Sequence, residues 1–203
     1  MVAKTLLFIA SAFLLQSTTS IKTILFFGDS LTAGYGLSTE EAFPALTEKL
    51  LNEKVKQCKV INAGLSGETS AGGLARIDWI LRQPVDIFIL ELGANDGLRG
   101  LPLDQTEKNL QAIIDKVKSK YPKIKVVLAG MMVPPNMGKD YSAGFQTIYP
   151  RLAKKNNATL VPFILEGVAG IEKLNLPDGI HPNPEGHKIV AKNLTNFLKP
   201  LLK

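Results

Sequence analysis

The sequence predicts an α/β fold: a three-layer α/β/α sandwich around a parallel sheet of about five strands. Three observations carry this. Short apolar runs recur along the chain, helix-period segments separate them, and glycine, asparagine, aspartate and serine gather just past the ends of the runs. The runs are Ile24–Phe27, Val60–Ile61, Val85–Leu92, Val126–Ala129 and the short Leu160–Val161. An apolar run such as Ile24–Phe27 is what a parallel strand covered on both faces requires. Strands separated by helices imply right-handed crossovers, which put all strand ends on one edge.

The helical segments follow from spacing. Glu41 to Glu53 carries Phe43, Leu46 and Leu50, and Asp104 to Lys120 carries Leu110, Ile113, Ile114 and Val117. Tyr141 to Asn156 carries Phe145, Ile148, Tyr149 and Leu152, with Pro150 interrupting the pattern. Pro184 to Leu198 carries Ile189, Val190, Leu194, Phe197 and Leu198. Gly130 to Gly144, with Pro134-Pro135-Asn136, is the least regular stretch, and its place after a strand puts it on the ligand-binding edge.

A chain of 203 residues with this apolar content reads as one domain. Residues 1–20 are set apart from it. Lys4 is followed by an almost wholly apolar run from Leu6 to Leu15 and then by Gln16-Ser17-Thr18-Thr19-Ser20, the grammar of a signal peptide cleaved after Thr19 or Ser20. A buried first element or an uncleaved anchor is the competing reading, although the run is too short to span a bilayer. The expected domain is therefore 21–203, periplasmic or secreted, without stable membrane insertion.

The net charge of +6 comes from lysines and arginines scattered over helix faces, as in Lys116, Lys118 and Lys120, with no interleaved aromatics. That pattern argues against a nucleic-acid partner. The one cysteine, Cys58, excludes an internal disulfide, CxxC redox chemistry and thiolate-rich metal sites. Its apolar neighbours Val60 and Ile61 mark it as a small packed residue.

The chemistry lies just past the runs. Gly28-Asp29-Ser30-Leu31 follows the first, and Ser30 there reads either as part of a helix start or as a nucleophile. Asn62 to Thr69, including Gly67, follows the second, and Gly93-Ala94-Asn95-Asp96-Gly97 the third. Only two histidines exist. His187 falls inside the last helical pattern as a surface or helix-packing residue. Pro182 keeps His181 out of helical geometry, while Asn183 and Pro184 start the last helix. Asp178, three residues before His181, can set its tautomer. A serine hydroxyl needs such a base, and the oxyanion formed on attack needs donors, a role suited to the N–H groups of Ser30 and of a glycine and to the amide of Asn95. Turns explain Gly67, Asn95 and Asp178-Gly179 equally well at this level.

Taken together, Gly28-Asp29-Ser30-Leu31, Gly67, Asn95 and Asp178-x-x-His181 resemble the four ordered blocks of the SGNH (GDSL) hydrolase family. Leu92 to Gly100, Asp178 to Asn183 and Tyr149 to Ala153 are similar to its bacterial branch of multifunctional thioesterases, arylesterases and lysophospholipases. The resemblance runs from about Ile24 to Leu198. It implies a flavodoxin-like hydrolase fold, a catalytic Ser30, Asp178 and His181, and an oxyanion hole of Ser30, Gly67 and Asn95. It implies no cofactor or metal, and a small acyl ester or thioester substrate, with lipid esters among the candidates. The loop containing Met131, Met132, Val133 and Pro134 corresponds to one that borders the acyl site. Two departures stand out: Glu68 occupies a common aspartate position and Ala94 a common glycine. A carbohydrate O-deacetylase on the same fold is the alternative. More remote are a non-catalytic lipid carrier and a nucleotide-binding module suggested by Gly34-Tyr35-Gly36, which lacks the third glycine of that motif.

Overall fold

The computed structural model describes residues 21–53 and 58–203; the segment read as a signal peptide lies outside the described residues. The described residues form five strands: β1 (Lys22–Gly28), β2 (Cys58–Gly64), β3 (Ile87–Glu91), β4 (Lys125–Ala129) and β5 (Thr159–Val161). All pair in parallel, in the order β2-β1-β3-β4-β5. The order reverses between β1 and β3, and at such a switch point an open sheet splays its loops into a ligand crevice.

Among the described residues, seven α-helices lie between or after the strands: α1 (Ser30–Ala33), α2 (Phe43–Leu51), α3 (Ser70–Ile80), α4 (Ala94–Leu98), α5 (Leu103–Lys120), α6 (Lys139–Asn156) and α7 (Pro184–Leu198). The helices α3, α5 and α6 pack in series, while α2 packs on α7. Right-handed crossovers place the first set on one face of the sheet and the second pair on the other. Phe26, Phe27 and Phe88 in the central strands are fully buried between these layers.

All five strands and four long helices fall where the sequence predicts them, with ends shifted by a few residues. The strand read as Val60–Ile61 extends over Cys58–Gly64. The irregular stretch Gly130–Gly144 is shorter than expected, because α6 starts at Lys139; α6 also runs through Pro150. Helix α3 has no clear helical period of apolar residues in the sequence. Its buried residues are Ser70, Gly73 and Ile77, a weak apolar stripe. The glycine has a packing reason, since a Cβ on Gly73 would lie 2.4 Å from Leu92 Cδ1 and 3.1 Å from Phe27 Cε1. Cys58 is buried as expected, and burial, then the Glu48 charge, pushes its thiol up to about 11.

His187 is a helix-packing residue. It is buried on α7, its ring stacks on Phe43, and its Nδ1 accepts the Phe43 N–H at 3.0 Å, meeting one orphan donor at the start of α2. Accepting requires the neutral ring. Burial, then the charge of His181, lowers its pKa from 6.5 to about 4. Between those values the unfolded chain holds a proton that the folded chain does not, so stability falls as pH falls through that window. Urea unfolding at pH 7 and pH 4.5 tests this. The stability lost between the two should be about 2 kcal/mol smaller in His187→Gln than in the wild type; equal losses would refute the assignment.

Candidate active site

The site assembles where β1, β2 and β3 end. Gly28 pairs with Gly64 on one side and Glu91 on the other. Asp29 then caps α1, its Oδ1 accepting the Leu31 N–H at 3.1 Å, and Ser30 is the first residue of that helix. The cap and nucleophile readings of this segment fall on adjacent residues: Asp29 caps, so the Ser30 side chain takes no part in capping. Gly34 closes α1 in the left-handed region at φ 78°, so Gly34-Tyr35-Gly36 ends a helix rather than opening one over a phosphate.

Ser30 Oγ lies 2.9 Å from His181 Nε2, and His181 Nδ1 lies 2.8 Å from Asp178 Oδ2. A carboxylate only accepts hydrogen bonds, so Nδ1 carries the proton and Nε2 is left to accept from the serine. The Asp178-to-Asn183 loop is built for this. Asp178 Oδ1 accepts the N–H groups of Ile180 and His181, both at 3.0 Å, and Gly179 supplies the left-handed turn at φ 75°. The His181 carbonyl accepts the Leu176 N–H at 2.7 Å, and Asn183 Oδ1 accepts the N–H groups of Glu185 and Gly186 at the start of α7. Burial works against ionising Asp178, but the hydrogen bonds from His181 and Ile180 outweigh it and hold the carboxyl below its ordinary range.

The three expected donors meet at the same place. Ser30, Gly67 and Asn95 all line one cleft with His181. Among the described residues, neither the Ser30 nor the Gly67 N–H donates to protein. Asn95 Nδ2 reaches the Glu68 carbonyl at 3.0 Å and Asp29 Oδ2 at 3.2 Å. Both neighbours are acceptors, which fixes the amide nitrogen on this side. Its longer bond, to Asp29, is the one a stronger acceptor in the cleft would replace.

Both sequence departures have local explanations. Ala94 begins α4 outside the positive-φ region, so no glycine is needed. Glu68 forms a bidentate pair with Arg76, with both contacts at 2.5 Å. Arg76 also donates to the Ala63 carbonyl at 2.8 Å and sits over the Phe27 ring at 4.3 Å. Arg99 holds the Gly67 carbonyl from the other side at 3.0 Å. These two arginines read in the sequence as scattered surface charge. Neither Tyr35, within Gly34-Tyr35-Gly36, nor Tyr149, on the apolar face of its helical pattern, reads in the sequence as a contact of the site. The Tyr35 ring packs 4.6 Å from His181, and the buried Tyr149 hydroxyl donates to the Leu92 carbonyl at 3.0 Å, three residues before Asn95.

The cleft has a volume of about 740 Å³. Met131, Met132, Val133 and Pro134 form part of its wall. Leu98, Phe163, Leu165 and Ile180 extend the apolar lining. A small polar cluster set in a mostly apolar lining is the form of a site for an apolar ligand with one reactive polar group.

A profile of the GDSL-like lipase/acylhydrolase family matches residues 26–189. The esterase TesA of Pseudomonas aeruginosa is 39% identical over 190 residues, covering 93% of this chain and 94% of its own. Thioesterase 1/protease 1/lysophospholipase L1 of Escherichia coli is 41% identical over 182 residues, covering 89% and 85%. A crystal structure of TesA superposes with a TM-score of 0.84 at 39% identity, covering 89% of this chain and 99% of that one.

Proposed function

Because the chain belongs to the GDSL-like lipase/acylhydrolase family and is a carboxylic ester hydrolase, we propose that Ser30, His181 and Asp178 carry out its reaction through an acyl-enzyme. His181 Nε2 takes the proton from Ser30 Oγ as Oγ bonds to the acyl carbonyl carbon. The carbonyl oxygen becomes an oxyanion and accepts from the N–H groups of Ser30 and Gly67 and from Asn95 Nδ2. As the carbonyl re-forms, the C–O or C–S bond breaks and His181 protonates the departing alkoxide or thiolate. Water then enters by the same route, with His181 as base, and the carboxylic acid leaves. Asp178 keeps the imidazole in one tautomer and favours the imidazolium formed at each transition state. No step requires a metal or cofactor.

The observation that carries this reading is the unbroken relay Oγ–Nε2, Nδ1–Oδ2 at 2.9 and 2.8 Å, opening into the apolar cleft. The cleft points to acyl chains longer than acetyl, including aryl esters, acyl thioesters and lysophospholipids. Met131, Met132, Val133 and Pro134 contact that chain in this reading. Turnover of p-nitrophenyl esters from acetyl to dodecanoyl tests both parts. Ser30→Ala should lower kcat by roughly 10⁴-fold or more, and kcat/KM should rise beyond acetyl in the wild type. An active Ser30→Ala enzyme would refute the mechanism, and a sharp acetyl optimum would favour the deacetylase.

We also propose export, on the strength of the residue 1–20 pattern; no described helix is long and apolar enough to cross a membrane. The N-terminal residue of the protein recovered outside the cytoplasm should be Ser20 or Ile21. Intact Met1 on a cytoplasmic protein would overturn this.

A further inference from the structure

Glu91 ends a strand that otherwise consists of Ile87, Phe88, Ile89 and Leu90, and it is fully buried. A carboxyl in that place loses its hydration, a cost of several kcal/mol unless hydrogen bonds replace the water. One oxygen is well served. Glu91 Oε2 accepts the Asp29 N–H at 3.3 Å, the Thr32 N–H at 3.1 Å and the Thr32 hydroxyl at 2.6 Å. The other, Oε1, has no partner among the described residues. An apolar side chain would fill the same volume without that loss, so the three contacts are the feature to be explained.

All three donors flank Ser30. One sits on the residue before it and two sit on the residue two places after it. The register of β1 against β3 pairs Gly28 with Glu91, which brings the carboxyl under the turn. A Cβ on Gly28 would come 2.3 Å from Glu91 Oε2 and 2.2 Å from Thr32 Oγ1. The glycine that opens Gly28-Asp29-Ser30 is therefore the space that Glu91 and Thr32 occupy.

Resting on the reading of Ser30 as the nucleophile, we propose that Glu91 is a positioning residue for acyl transfer. Its Oε2 clamps the backbone on both sides of Ser30, holding Oγ at His181 Nε2 and leaving the Ser30 N–H uncommitted for the oxyanion. Burial, and then the neighbouring Asp29 carboxyl, pushes Glu91 well above the usual carboxylate range and favours the neutral acid. In that form Oε2 acts as a carbonyl acceptor, a role that the amide oxygen of glutamine can fill. A reacting atom displaced by about 1 Å can lose 10²-fold in rate, which sets the scale of the expected effect.

The test uses three variants in the full-length protein, with p-nitrophenyl butyrate as substrate at a temperature below each thermal midpoint. Glu91→Leu removes the whole clamp, Thr32→Val removes its shortest bond, and Glu91→Gln keeps the acceptor. Reactive sites are counted by endpoint labelling with a p-nitrophenyl phosphonate. The expected result is a kcat loss of about 100-fold for Glu91→Leu and about tenfold for Thr32→Val, with KM within about threefold and full site counts. Glu91→Gln should keep at least about a third of wild-type kcat. Should Glu91→Leu fail to fold, the other two variants still decide. The proposal is overturned by wild-type kcat in Thr32→Val or in folded Glu91→Leu, by a kcat loss matched by missing sites, or by a glutamine variant as slow as the leucine one. Ser30→Ala assayed alongside separates the two ideas. Activity there removes the nucleophile reading itself, whereas an inactive Ser30→Ala beside a fast Glu91→Leu removes only the clamp.

Discussion

At the carboxyl edge of the sheet, Gly28 pairs with Gly64 on one side and with Glu91 on the other, so three strands stop level. The site depends on that register. Ser30, Gly67 and Asn95 each follow within a few residues of these strand ends, so they converge without a long loop having to be ordered. The level ends must also be bare. A Cβ on Gly64 would lie 2.2 Å from the Ala33 nitrogen, a backbone atom of the helix that carries Ser30. A side chain there would lift α1 off the edge, just as one on Gly28 would drive apart Glu91 and Thr32. Shifting β1 against β3 would separate the Ser30 turn from the carboxyl beneath it.

Charge is arranged around this edge in two different ways. Asp178 is partly exposed, on a loop that gives it two N–H donors and the imidazole, and these hold it ionised. Asp29 and Glu91 are buried side by side below Ser30, and burial pushes both above the usual carboxylate range. Carboxyls in different surroundings thus take different parts: one orients the His181 imidazole and the others shape the turn. Arg76 and Arg99 add fixed positive groups around Gly67, through Glu68 and through the Gly67 carbonyl.

Much of this was legible in the sequence because short-range rules set it. Pro182, Asn183 and Pro184 determine how His181 leaves its loop, and the apolar runs determine the strands. The relay residues and the three donors follow from those rules together with the family resemblance. What was not legible depends on distant partners. Arg99 reaches a carbonyl 32 residues away, and Thr32 meets Glu91 across 59. Glu91 was hidden inside a run read as apolar, although an acid closing such a strand is itself a signal. Helix α3 was missed because its close approach to the sheet replaces an apolar side chain with Gly73. The pairing of Glu68 with Arg76 across the start of α3 is likewise a tertiary contact.

The central claim is that Ser30 Oγ is the atom that carries the acyl group, activated by His181. Covalent labelling reads this most directly: incubation with a p-nitrophenyl phosphonate, intact mass measurement and peptide mapping, for the wild type and His181→Ala. One adduct per chain should form, on the peptide containing Ser30, and far more slowly in His181→Ala. An adduct on another residue, or labelling of Ser30 at an unchanged rate without His181, would contradict it.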